Sequence, residues 1–184
     1  MRIETTPIEG LLIIEPTVHK DDRGYFMESY NKLVLESKGN VHYNFVQDNQ
    51  ARSVKNVLRG LHYQNDPAAQ VKLIRVLEGS IWDVAVDIRK NSKTYKKWFG
   101  IELTAENKLQ LLIPYGFAHG YAVLSDTAEV FYKCDRYYNK SAEGGIFFGD
   151  NELAVDWKMN VHEAIISDKD LKQPLLKDCW NCFE

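Results

Sequence analysis

The strongest constraint in this sequence is a period of two. Apolar and polar residues alternate in short runs, each cut off by Gly, Pro, Asn or Asp. Successive side chains of a strand point to opposite faces, so this alternation specifies strands rather than helices. The clearest runs are residues 71–77 and 81–88. Glu78-Gly79-Ser80 separates them, and the spacing predicts a β-hairpin. In the second arm Trp82, Val84, Val86 and Ile88 share one parity, while Asp83, Ala85 and Asp87 take the other. Residues 109–113 read as a strand that stops at Pro114-Tyr115-Gly116. Strands over 117–124 and 128–135 follow, divided by a turn at Ser125-Asp126. Near the start, 11–15 and 24–29 read as strands around a polar turn. Helices are few: one over 31–37 ending near Gly39, and a short turn capped by Ser167 or Asp168 ahead of Pro174. Many short strands predict an all-β, mostly antiparallel sandwich or barrel with a ligand-sized interior. No repeat, low-complexity stretch or linker divides the chain, so one domain over 1–184 is expected.

Composition narrows the function. Of 184 residues 45% are hydrophobic and 27% charged, enough for a packed core. The net charge of −3 offers no general surface for nucleic acid, so an anionic ligand needs a local basic cluster. No apolar run approaches the ~18–20 residues of a membrane helix. Met1-Arg2-Ile3-Glu4-Thr5-Thr6 lacks an apolar signal core, which makes the cytoplasm the expected location. Cys134 reads as a small buried hydrophobe. Cys179 and Cys182 form a lone C-x-x-C, expected to be a reduced, unpaired tail.

Polar groups interrupt the apolar strands at four places. Arg59-Gly60-Leu61-His62-Tyr63-Gln64 puts an Arg, a His and a Gln into an apolar run. Gly60 suggests a bulge or a close backbone approach, and a bulge would turn Arg59 and His62 to one side despite their opposite parity. His119 lies within Pro114-Tyr115-Gly116-Phe117-Ala118-His119-Gly120-Tyr121. Tyr132 shares a strand face with Val130 and Cys134, and Lys72 shares one with Ile74 and Val76. Should those faces be interior, a phenol and an ammonium enter the cavity. A buried lysine is costly unless it meets an anion. Metal binding is the rival reading. It is disfavoured because the strand carries His62-Tyr63-Gln64 instead of His-x-His, and His19, His42, His119 and His162 are scattered. No catalytic metal is expected.

Several segments, in order, resemble one family. Phe45-Val46-Gln47-Asp48-Asn49, Leu58-Arg59-Gly60-Leu61-His62-Tyr63-Gln64, Asp83-Val84-Ala85-Val86-Asp87-Ile88-Arg89 and Gly116-Phe117-Ala118-His119-Gly120 are similar to motifs of the dTDP-4-dehydrorhamnose 3,5-epimerases. Asp22-Arg23-Gly24-Tyr25-Phe26-Met27-Glu28 and Ser167-Asp168-Lys169-Asp170 resemble the flanking motifs. The resemblance implies a cupin-type jelly roll, a homodimer, a dTDP-linked sugar substrate, and neither metal nor dissociable cofactor. It implies His62 as base, Asp170 as its partner, Tyr132 as acid and Lys72 as the enolate's counter-charge. It places Arg23, Phe26, Glu28, Gln47, Asn49, Arg59, His119, Glu143 and Lys169 at substrate-binding positions, with Tyr138 stacking on the nucleotide base. Exchanged N-terminal strands would carry Arg23 and Glu28 across the dimer. The chain departs from the family at Phe147-Phe148-Gly149-Asp150-Asn151, where Trp-x-Asp-Pro is common, and at Trp157-Lys158, where Trp-Pro is common.

The implied chemistry fits these residue types. A C4 ketone makes the C–H bonds at C3 and C5 acidic, and inversion needs a proton removed from one face and returned to the other. An enzyme inverting only C3 or only C5, and a non-catalytic barrel that binds a nucleotide sugar, are the competing readings at this point.

Overall fold

The computed structural model describes residues 1–181 and 183–184; Cys182, half of the expected C-x-x-C, lies outside them. Strands β1 (Arg2–Thr5), β2 (Leu12–Glu15), β3 (Val18–Asp21) and β4 (Gly24–Met27) precede helix α1 (Lys32–Gly39). The body is built by β5 (Gln47–Val54), β6 (Leu58–Gln64), β7 (Lys72–Glu78), β8 (Ser80–Asp87), β9 (Trp98–Thr104), β10 (Gln110–Ile113), β11 (Phe117–Val123) and β12 (Thr127–Cys134). Strand β13 (Glu143–Gly145) and helix α2 (Asp168–Leu171) lie further on. One sheet has the order β1-β2-β10-β7-β12-β5 and the other β13-β6-β11-β8-β9, while β3 and β4 form a separate hairpin. The strands within each sheet pair antiparallel. This is the all-β, jelly-roll sandwich expected from the strand pattern and the family resemblance.

The hairpin expected over 71–88 is not formed. Strand β7 lies between β10 and β12, whereas β8 lies in the facing sheet between β11 and β9. Gly79 makes the corner with φ 75°, and a Cβ there would lie 2.0 Å from the Thr127 carbonyl oxygen. The chain changes sheets again between β10 and β11 and between β11 and β12. Alternation within a run does not distinguish a turn beside the strand from a corner across the sandwich. Double-sided burial does. Ile81 and Ala85 pack between the sheets, while Val84, Val86 and Ile88 pack on the outer face. Ile146, Leu153, Trp157, Leu176 and Phe183 cover that outer face. A strand so placed is central in a covered sheet, not one arm of a half-exposed ribbon.

Inside, each strand changes character along its length. Ile74 and Val76 of β7, and Val130 of β12, join the apolar core. Lys72, Tyr132 and Cys134 continue the same faces toward the other end, where they are only partly apolar. Strand β5 adds Gln47 and Asn49 there, each half-buried between exposed neighbours. One end of the sandwich is therefore a core and the other a polar cavity. Helix α1 is capped by the Asn31 side chain, which accepts from the Val34 N–H. Its Leu35 packs with Ile14, Leu73 and Leu112 on the outer face of the six-stranded sheet.

Candidate active site

The polar cavity is about 350 Å³ and is lined by Gln47, Asn49, His62, Lys72, Tyr132 and Glu143 among others. His62 also borders a second hollow of about 430 Å³ with Arg59, Lys169 and Asp170. The bulge expected at Gly60 explains how Arg59 and His62 reach the same side. In the β6–β11 ladder His62 faces His119 and Arg59 faces Tyr121, so the four residues 59–62 of β6 span the three residues 119–121 of β11. Gly60 has φ 123°, and a Cβ on it would lie 2.6 Å from the Gly120 Cα and 2.8 Å from the His119 carbonyl oxygen. No residue with a side chain fits this position without moving backbone.

His62 Nε2 is 2.6 Å from Asp170 Oδ1. Asp170 arrives from α2, 108 residues later. The C-terminal segment is held by a bridge between Val57 and Ile165 and by the Leu58 N–H donating to the Ile165 carbonyl. Ser167 caps α2 by accepting from the Asp170 N–H, as its position predicted. Asp170 Oδ2 accepts from the Gly60 N–H at 3.3 Å. Burial pushes the Asp170 carboxyl up, but the hydrogen bonds from His62, Gly60 and Ser167 bring it below its ordinary value. The aspartate is thus ionised at neutral pH. A carboxylate only accepts, so Nε2 is the donor of this bond and Nδ1 is left as the nitrogen that can act as a base. The His62 side chain is 32% exposed against 4% for Asp170, so the open member of the pair is the one with a free nitrogen.

Tyr132 stands on the other sheet. On β12 it pairs in register with Asn49 of β5 and Ile74 of β7. Burial raises the phenol above its ordinary value and keeps it protonated. Lys72 lies opposite Cys134 on β7. Burial pushes its pKa down, against the pull of Cys134, Asp83 and Glu143. The Cys134 thiol itself is raised to about 11, first by burial, which fits a packing role. His119 Nε2 is 2.8 Å from the buried Asp83. Burial lowers the pKa of His119 more than Asp83 raises it.

The expected nucleotide-end residues also come together. The Tyr138 N–H donates to Gln47 Oε1 at 3.0 Å, and its hydroxyl to Glu143 Oε2 at 3.2 Å. Lys169 donates to the other Glu143 oxygen. Tyr138 is left 55% exposed, open to stacking. Arg59 donates from Nε and NH2 to Ser53 Oγ. Arg23, Phe26 and Glu28 are not brought to this cavity within one chain. They sit exposed on or beside the β3–β4 hairpin, with Arg23 bound to Asp21. Gln64, noted in the sequence only as a polar group of its strand, and Gln70, which no motif marked, also line the cavity; Gln64 shares parity with His62 and Gln70 with Lys72. Among the described residues no group of three His, Cys, Asp or Glu side chains is placed to hold a metal ion. No helix among them is long and apolar enough to cross a membrane.

The family model for dTDP-4-dehydrorhamnose 3,5-epimerase matches residues 5–178. The chain belongs to the dTDP-4-dehydrorhamnose 3,5-epimerase family. A relative of that description from Shigella flexneri is 51% identical over 171 residues, 93% of either chain. A crystal structure of a dTDP-4-dehydrorhamnose 3,5-epimerase from Elizabethkingia anophelis superposes with a TM-score of 0.93 at 51% identity, covering 97% of each chain. A dTDP-6-deoxy-D-glucose-3,5-epimerase from Legionella pneumophila, solved in complex with dTDP-4-keto-L-rhamnose, superposes at 0.92 with 46% identity. That match covers 96% of this chain and 93% of the other. As an epimerase of this family the protein is an isomerase, and the jelly roll is the family fold. The resemblance read from scattered motifs therefore extends over nearly the whole chain.

Proposed function

We propose that this protein inverts C3 and C5 of dTDP-4-dehydro-6-deoxy-D-glucose, giving dTDP-4-dehydro-L-rhamnose in the cytoplasm. One observation carries the reading: His62, on one sheet and bonded to Asp170 of α2, and Tyr132, on the facing sheet, line one cavity. His62 Nδ1 removes the proton alpha to the C4 ketone. Asp170 holds the ring and stabilises the imidazolium that forms. Lys72 meets the negative charge on the enolate oxygen. Tyr132 returns a proton to the opposite face, and Arg59 and Lys169 receive the diphosphate. No step of this sequence calls for a metal or a cofactor. Proton NMR with dTDP-4-keto-6-deoxyglucose in deuterated water tests it. Deuterium is expected at both C3 and C5, with dTDP-rhamnose formed once a reductase is coupled. Exchange at one carbon would indicate a mono-epimerase, and exchange at neither a binding protein.

The working form in this reading is a homodimer. The hairpin bearing Arg23, Phe26 and Glu28 is exposed in the single chain, with Phe26 69% accessible, and in a dimer it would complete the partner's cavity. Arg23→Ala is expected to raise KM about tenfold, the loss of one charge-assisted contact, with kcat little changed. A fully active species that sediments as a monomer would count against the shared cavity.

A further inference from the structure

Asp83 carries one of the two buried side-chain oxygens that lack a hydrogen-bond partner among the described residues, Tyr121 Oη being the other. Asp83 lies on β8, fully buried, between the apolar Ile81 and Ala85. Oδ1 is 2.8 Å from His119 Nε2, while Oδ2 has no hydrogen-bond partner among the described residues. A buried carboxylate in that condition is costly unless another charge balances it. His119 balances it poorly, because its own burial disfavours the imidazolium. Lys72 opens onto the interior from the facing sheet, where Cys134, Asp83 and Glu143 favour its charged form against burial.

We propose that Asp83 is a positioning residue of the epimerase site: it fixes His119 as the Nε2–H tautomer and holds the Lys72 side chain as an ammonium. The inference rests on the reading that Lys72 meets the enolate oxygen. With Nε2–H committed to Asp83, His119 keeps Nδ1 as an acceptor, suited to a sugar hydroxyl. A neutral Lys72 would lose most of its hold on an oxyanion that exists only after proton removal. Asp83 thus acts on the reaction without touching the substrate, and its effect belongs in kcat more than in KM.

Asp83→Asn keeps the shape and removes the charge. Its kcat on dTDP-4-keto-6-deoxyglucose is expected to fall about a hundredfold, with KM within about threefold of wild type. Nitrogen-15 NMR of the wild-type protein at neutral pH should show His119 neutral and protonated on Nε2; the variant should gain the Nδ1–H form, since an amide can donate to Nε2. A variant kcat within about threefold of wild type overturns the proposal. A raised KM with unchanged kcat does the same. Should the variant not fold, the wild-type spectrum decides alone: an Nδ1–H or imidazolium His119 overturns the assignment. Deuterium exchange by the wild type is recorded from the same preparation. Its absence would bring down the epimerase reading and this inference with it, whereas exchange by the wild type with an unaffected Asp83→Asn removes only the role of Asp83.

Discussion

His62→Ala is expected to lower turnover by about a thousandfold or more, at the upper end of what a positioned acid or base contributes, and to leave the fold intact. The size of the effect follows from the site. In the proposed mechanism proton removal at C3 and at C5 both begin at His62 Nδ1, so one substitution should stop both inversions. The fold should survive because the ring is not core. Its side chain is 32% exposed, and the groups around it are held by other bonds. Asp170 would keep the Gly60 N–H bond to its carboxylate, and its own N–H would still donate to Ser167 Oγ. Removing the imidazole still leaves Asp170 without its main partner, so a modest loss of stability is expected alongside the loss of rate. The check is deuterium incorporation at C3 and C5 together with a thermal melt. A folded variant that exchanges both positions at the wild-type rate would require a different base.

The same residues show where sequence reading succeeds and where it stops. Parity placed Lys72 with Ile74 and Val76, and Tyr132 with Val130 and Cys134, and those faces are interior. Gly60 signalled a bulge or a close backbone approach, and the structure has both: the ladder shows the extra residue, and the Gly120 backbone leaves no room for a Cβ. The corner at Gly79 was not legible. A tight turn and a sheet change use the same turn residues, and only the partners of each strand distinguish them. Contacts across long separations are invisible to periodicity. Asp170 meets His62 across 108 residues, and only family resemblance pointed to it. Asp83 was hidden for a different reason. Alternation grouped it with Asp87, as the polar side of a strand. In the structure both aspartates are buried, Asp87 bonded to Arg89, Ser92 and Thr94, and Asp83 facing His119.

The other large effect concerns the second half of the reaction. Tyr132→Phe is expected to slow inversion by about a hundredfold or more while leaving proton exchange much less affected. The two processes should separate because the proposed base and acid stand on opposite walls of the cavity. In the proposed mechanism His62 on β6 still removes the proton, and its exposed ring can trade that proton with solvent. Returning a deuteron from the same ring to the same face labels the carbon without inverting it. Inversion needs a donor on the facing sheet, where Tyr132 is the phenol in register with Asn49. Its elevated pKa makes it a weak acid, one that stays protonated at neutral pH and yields its proton only to a strongly basic carbanion. Phenylalanine keeps the ring and its packing against the core and deletes only the hydroxyl, so the comparison isolates the proton. The measurement is the ratio of deuterium incorporation to stereochemical product in one time course. A high ratio in the variant, set against coupled exchange and inversion in the wild type, assigns the acid to Tyr132. Full inversion at the wild-type rate would place the donor elsewhere in the cavity, and equal loss of exchange and inversion would make Tyr132 a determinant of binding instead.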